Sequence, residues 1–317
     1  MRNARFVTAT LFALLLLVPA ARSDDYPSHP ITLIVPYPPG GGVDTIARVM
    51  SAKLSVALGQ QIVIENRPGA GAVIGTRAAA KAPVDGYTLV MLATGFTLPA
   101  NTGYEAKDFA PIGTISSTPI VVMAHPSLPA NSLADLIALA KKDPGKLSAG
   151  TPPPPTLNYF AIELMKAMAG IDLTIVTYKG TGPLTNDLVG GHVPLAFNTT
   201  APALGNIQAG KIRAIAVAAP KRSAALPDVP TAAEAGLPGF EAVLYYGIAA
   251  PAGTPQPIIE RISKEMRAII GTEEISKRIV SDGGDPAPMT SEEYAAMIER
   301  DEAKWAELIK KLGLVIN

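Results

Sequence analysis

The sequence predicts an α/β protein of two lobes, each a helix-flanked, mostly parallel sheet, and two observations carry that prediction. Short apolar runs rich in Val, Ile and Leu alternate with segments of helical periodicity for most of the length. The chain is also long: 317 residues, about 294 once an apparent export leader is removed, exceed the ~100–200 of a usual single domain. Glycine (28) and proline (30) are abundant, but they punctuate the pattern and form no low-complexity tract.

At the N-terminus, Arg2 and Arg5 precede an apolar run over residues 6–18, and Ala21 and Ser23 put small residues at the cleavage-defining positions. Residues 1–23 are therefore expected to be a cleaved signal peptide, since the run is shorter than the ~20 residues that span a membrane. The chain has no cysteine, which rules out a disulfide framework, a thiolate metal site and a lipid-anchored leader. Arg2, Arg5 and Arg22 leave with the leader, so 27 basic against 27 acidic residues becomes 24 against 27. That slightly acidic balance argues against nucleic acid or an anionic membrane as partner.

Strands are expected at residues 31–35, 61–65, 87–92, 119–124, 173–176, 194–197, 212–217 and 244–249. The first is followed by Pro36-Tyr37-Pro38-Pro39-Gly40-Gly41-Gly42-Val43-Asp44 and then by a helix to Leu58, whose apolar residues recur at helical spacing. Three glycines let several backbone N–H groups point to one place beside the unpaired N–H groups of the helix's first turn. Such a nest attracts a carboxylate or phosphate without a cationic side chain, with Asp44 as the expected N-cap. A plain connecting turn is the alternative. Further helices are expected at residues 132–142, opened by Ser132 and Asp135 as a capping box, and at 156–169, 183–189, 201–209 and 255–270. The last, 291–312, carries Tyr294, Met297, Ile298, Trp305, Leu308 and Ile309 on its buried side.

Ligands of open α/β sheets bind beyond the carboxyl ends of the strands. The loops there are rich in glycine, hydroxyls and amides, at Thr94-Gly95, at residues 151–156 and 178–182, and at Asn198-Thr199-Thr200, which suits a small polar ligand. Catalytic equipment is missing. The three histidines sit in loops outside any motif, and there is no nucleophile elbow, P-loop or dinucleotide fingerprint. No cofactor or metal is expected, and a binding protein is favoured over the alternative of an exported enzyme acting on carboxylates.

Across the mature chain the residues resemble one family in its order: Tyr26-Pro27 with Pro30-Ile31, Pro38-Pro39-Gly40-Gly41 with Asp44, Glu65-Asn66-Arg67-Pro68-Gly69-Ala70, Asp85-Gly86-Tyr87, Tyr178-Lys179-Gly180, Leu226-Pro227-Asp228-Val229-Pro230 and Pro251-Ala252-Gly253-Thr254-Pro255. They look like the Bug, or tripartite tricarboxylate transporter, receptors of the periplasm. That resemblance implies a type II Venus-flytrap fold, with lobe 1 from residues 24–122 plus 246–317 and lobe 2 from 123–245. It implies a small carboxylate enclosed between the lobes, delivery to a large and a small membrane subunit, and a monomer. A rival within the fold is a receptor that presents its ligand to a sensor kinase.

The resemblance and the anion nest together point to Tyr37, Pro39, Gly40, Gly41, Gly42, Val43, Asp44, Thr94, Thr151, Thr156, Asn158, Tyr178, Asn198 and Thr199 as ligand-binding, with Lys179 as a charge partner. One stretch departs from the family pattern. Where a Gly/Ser-rich loop and a His are usual, this chain has Thr151-Pro152-Pro153-Pro154-Pro155-Thr156 and Tyr159. Prolines donate no N–H, so a stiff apolar wall including Pro154 is expected to favour a ligand with an apolar or aromatic body. A stiffened loop outside the pocket is the alternative.

Overall fold

The computed structural model describes residues 26–39, 42–97 and 102–313. The expected signal peptide lies outside the described residues, as do Gly40 and Gly41 of the glycine loop.

In the first half, β1 (Ile31–Val35) pairs in parallel with β2 (Ile62–Asn66) and β3 (Thr88–Ala93), and β3 pairs antiparallel with β9 (Val243–Pro251). In the second, β7 (Leu195–Thr199), β5 (Ser148–Thr151) and β6 (Thr174–Thr177) form a parallel set. One long strand joins them. The first part of β4 (Phe109–Ala124) pairs with β9 up to Pro119, and beyond it residues 120–124 pair antiparallel with β7 and residues 121–124 with β8 (Arg213–Val217). The expectation of mostly parallel sheets thus holds for the outer strands, while the strands shared at the centre make the sheet mixed.

Only residues 119–124 of β4 are legible as an apolar run. Pro111, Gly113 and a Ser/Thr stretch break the pattern before them, yet pairing with β9 extends the strand through shifts of register at Pro111/Gly113 and Thr114/Ser116. Gly113 is needed there, because a Cβ would lie 2.7 Å from the carbonyl oxygen of Met289. β5 was not expected because Ser-Ala-Gly-Thr has no apolar run. It is a central strand, and its Gly150 sits hard against Leu184 and Tyr178.

Helices cover both faces of each half. α1 (Gly42–Leu58) and α7 (Gln256–Ile270) bury Ala47, Met50, Leu54, Ile259, Ile262 and Met266 against Ile31, Leu33 and Val35, while Ile34 faces the opposite layer with α2 (Val73–Ala80). In the second half, Ile120, Val122 and Ala124 of β4 face α3 (Leu133–Lys142) and α4 (Leu157–Ala169), and Val121 and Met123 face α5 (Thr181–Val189). Ser132 caps α3 in the expected capping box, accepting the Asp135 N–H at 3.1 Å. The short α6 (Leu204–Gln208) follows β7, and α8 (Glu273–Ser281) leads into the two-residue β10 (Asp285–Pro286), which pairs with β4 at Ser116 and Ser117.

The last helix, α9 (Ser291–Leu312), belongs to both cores. Tyr294, Met297 and Ile298 pack with Phe96, Tyr104 and Phe109, whereas Trp305 and Leu308 are buried with Phe160, Phe240 and Ile120. Its final turns are packed against the second half of the sheet, its first turns against the first. No helix among the described residues is long and apolar enough to cross a membrane.

Candidate functional site

A cavity of about 880 Å³ lies where the two halves of the sheet meet. β1 ends at Val35, and the following turn and α1 bring Tyr37, Val43, Thr45 and Ile46 to one wall. The facing wall comes from Asn158 at the start of α4, Thr181 at the start of α5, Thr199, and residues Ala201, Leu204 and Gln208 around α6. The floor is Ser116 and Thr118 of β4 with Leu244 and Tyr246 of β9, alternate positions whose side chains share one face. Ile279, Ser281, Asp282 and Gly284 close one side.

The site has many neutral donors and acceptors and little charge. Among the described residues no lysine or arginine lines it, and the one acid that does, Asp282, accepts from Arg278 Nε at 2.8 Å. Apolar and aromatic groups make up much of the rest. Burial pushes the Tyr246 phenol up to about 12, and burial together with the nearby Tyr246 pushes the Tyr37 phenol up as well. Both phenols stay protonated at neutral pH, so they are available as hydrogen-bond donors. Negative charge here has to be met by hydroxyls, amides and the N-termini of α1 and α5.

The sequence-named residues divide into three groups. Tyr37, Val43, Asn158 and Thr199 line the cavity. Gly42 begins α1, next to the undescribed Gly40 and Gly41.

A second group shapes the walls from behind. Asp44 is not the N-cap: it sits in the first turn of α1, buried, where its carboxylate accepts from Arg48 Nε at 2.8 Å and Asn66 Nδ2 at 2.8 Å. The same Asn66 amide donates to the Tyr37 carbonyl at 3.1 Å, so the polar cluster fixes the loop that carries Tyr37. Asn198 is buried behind Thr199, donating from Nδ2 to Thr185 Oγ1 at 3.2 Å and accepting the Thr199 N–H at 2.9 Å. Thr156 caps α4, accepting the Tyr159 N–H at 3.4 Å and donating to the Pro153 carbonyl at 2.9 Å. Thr151 is fully buried with no hydrogen-bond partner for its hydroxyl.

The third group lies elsewhere. Thr94 accepts the Tyr245 N–H at 2.7 Å and borders a separate small void with Trp305, not the large cavity. Pro39, Pro154 and Lys179 are exposed, and none of the three is in the cavity lining. Tyr178 is half-buried, and its N–H donates to Thr151 O at 2.9 Å. The proline stretch therefore contributes only its neighbour Asn158 to the lining, because Thr156 ends it and turns the chain into α4.

Sequence reasoning missed Thr45, Ser116, Thr118, Leu244, Tyr246 and Asp282, and reached Thr181 only as part of the loop 178–182. Thr45 and Thr181 were within reach, each following a glycine loop into a helix. Ser116 and Thr118 had no apolar strand to place them.

Residues 46–314 match the family model for the tripartite tricarboxylate transporter family receptor. The chain belongs to that family. Among its relatives, the protein BugT of Bordetella pertussis is 34% identical over 298 residues, covering 92% of this chain and 91% of BugT. A solved structure of an R. palustris protein with adipate is 34% identical with a TM-score of 0.80, over 91% of this chain and 99% of that one. The periplasmic binding protein BugD is 33% identical with a TM-score of 0.75, over 91% and 99%. These receptors share the two-lobed α/β fold of periplasmic binding proteins.

Proposed function

We propose that this protein is a periplasmic receptor that closes two lobes on a small carboxylate and hands it to the large and small membrane subunits of a tripartite tricarboxylate-type transporter. The observation that carries this reading is the cavity itself, which lies between the halves of the sheet, offers hydroxyl and amide groups, and has no lysine or arginine among the described residues of its lining. Family membership supports the same role.

In this proposal residues 1–23 are a leader that directs export. Residues 24–122 and 246–317 form one lobe, 123–245 the other, and the lobes turn about β4 near Pro119 and the start of β9. The carboxylate lies near Gly40, Gly41, Gly42 and Val43, with Thr45, Ser116, Thr118, Asn158, Thr181 and Thr199 as donors. Asp44, Asn198 and Thr156 hold those walls in place. The ligand has an apolar body, and the support for that is Tyr37, Ile46, Leu244, Tyr246 and Ile279 in the lining, in place of the proline stretch. A relative's structure with adipate, whose middle is four methylenes, is in keeping with this.

Thermal unfolding against a panel of adipate, citrate, glutamate and an aromatic carboxylate tests the reading. A ligand that binds only the folded state at about 1,000 times its Kd adds about 4 kcal/mol, a rise of several degrees. A rise with adipate or the aromatic compound above that with citrate is expected. Equal or larger rises with citrate and glutamate would contradict the apolar-body assignment.

A further inference from the structure

Side by side, β4 and β9 present two faces, because successive residues of a strand point to opposite sides. Ser116, Thr118, Leu244 and Tyr246 face the ligand cavity, whereas Ser117 and Tyr245 floor a second cavity of about 530 Å³. Its walls come from both sides of the hinge. The segment 286–289 with Ala296 and Arg300 of α9 forms one, and Lys221, in the loop leaving β8, forms the other. The loop is tied across by the Ala224 N–H, which donates to Asp285 Oδ1 at 2.6 Å.

This second cavity carries the charge that the first lacks. Lys221 and Arg300 are both exposed, and among the described residues neither forms a hydrogen bond or an ion pair. The one carboxylate in its lining, Glu293, accepts the Thr290 N–H at 2.8 Å as part of the capping box of α9. A lysine from the loop leaving β8 and an arginine from α9 in one lining suit an anion that can accept from both.

We propose that the back cavity is a second binding site, for a small polyvalent oxyanion held between Lys221 and Arg300, and that its occupation opposes closure of the ligand cavity. The two cavities share β4 and β9 as their common wall, so a rotation that narrows one widens the other. An anion that draws Lys221 toward Arg300 favours the open form, and reciprocity requires a bound ligand to weaken the anion by the same factor. The coupling rests on the hinge of the receptor reading; anion binding does not.

The test uses inorganic phosphate as the probe, titrated against sodium chloride at matched ionic strength with no carboxylate present. Unfolding temperatures are recorded for the wild type, Lys221→Ala and Arg300→Ala; both side chains are exposed, so the variants are expected to fold normally. A saturable rise of a few degrees is expected in the wild type and its loss in each variant. No rise, a rise that does not saturate, or one that persists in both variants would overturn the site. Small-angle scattering reads the coupling on the same samples. The radius of gyration is expected to increase with phosphate in the wild type and to stay constant in Lys221→Ala. An unchanged or smaller radius in the wild type would overturn the coupling. Neither arm depends on what the ligand cavity takes.

Discussion

Gly283 shows how tightly a single residue can constrain the cleft. Its φ is +80°, a conformation that costs an L side chain about 1–2 kcal/mol, and a Cβ there would lie 2.8 Å from both the Cα and the N of Ala201. Ala201 belongs to the facing wall of the ligand cavity, so the chain can relieve that clash by holding the walls apart. Gly283→Ala is therefore expected to weaken ligand binding by about tenfold or more, equivalent to 1.4 kcal/mol. The ligand-free unfolding temperature should fall by only a few degrees. Calorimetric titration beside a thermal scan checks both, and unchanged affinity would show that the contact is not part of closure.

Asp301 makes a different residue-scale prediction. It lies on α9 between the two sets of buried residues, and burial raises its carboxyl to about 6 despite the opposing effect of Lys304 and Arg300. A carboxyl whose folded value exceeds its unfolded one contributes stability that is complete below about pH 4 and is lost as pH rises through about 6. Asp301→Asn removes that loss. The variant is expected to unfold at a higher temperature than the wild type at pH 8, with the advantage gone at pH 4. Thermal scans at the two pH values check the sign, and a variant less stable than the wild type at pH 8 would contradict it.

Among the elements, α9 decides most about how the halves are joined. Trp305 is 2% exposed, with its ring 6.0 Å from that of Phe160, and it belongs to the core of the second half, whereas Tyr294 on the same helix belongs to that of the first. Trp305→Ala is expected to cost about 3–5 kcal/mol, the range for removing a buried tryptophan side chain from a core. Denaturant unfolding measures this. A loss near zero would mean that the last turns of α9 are not docked.

The same helix shows what the sequence made legible. Its apolar spacing and its extent over residues 291–312 are readable, because they depend on neighbours three and four residues away. That the buried stripe divides between two cores was not, since nothing in a single helix's periodicity names its partner. β4 and β5 make the same point for strands. Pro111, Gly113 and Gly150 depart from any local strand pattern and are held by pairing and close backbone approach set far away in sequence. At the site, the glycine loop lies in sequence between Tyr37 and Val43, which both line the cavity. Asp44 was read as a cap because its hydrogen-bond partner Asn66 is 22 residues away. Thr94 is expected at the site from its place in the loop beyond β3, and its partner Tyr245 is 151 residues away.

At the scale of the whole molecule, the two lobes separate a nearly neutral cavity on one face of the hinge strands from a basic one on the other. In the proposed function the front cavity meets an anion with dipoles and not with ions, and this gives it a property that can be measured. Interactions between exposed charges are screened over a Debye length that shrinks from about 10 Å at 0.1 M salt to about 3 Å at 1 M, whereas short hydrogen bonds to neutral groups are little affected. The most direct measurement is calorimetric titration of the purified protein with adipate at low and high sodium chloride. A single site whose Kd changes by less than about threefold between 0.1 M and 1 M salt is the expected result. No binding of any carboxylate in the panel, or an affinity that collapses with salt, would contradict a receptor that holds its ligand by neutral donors between two lobes.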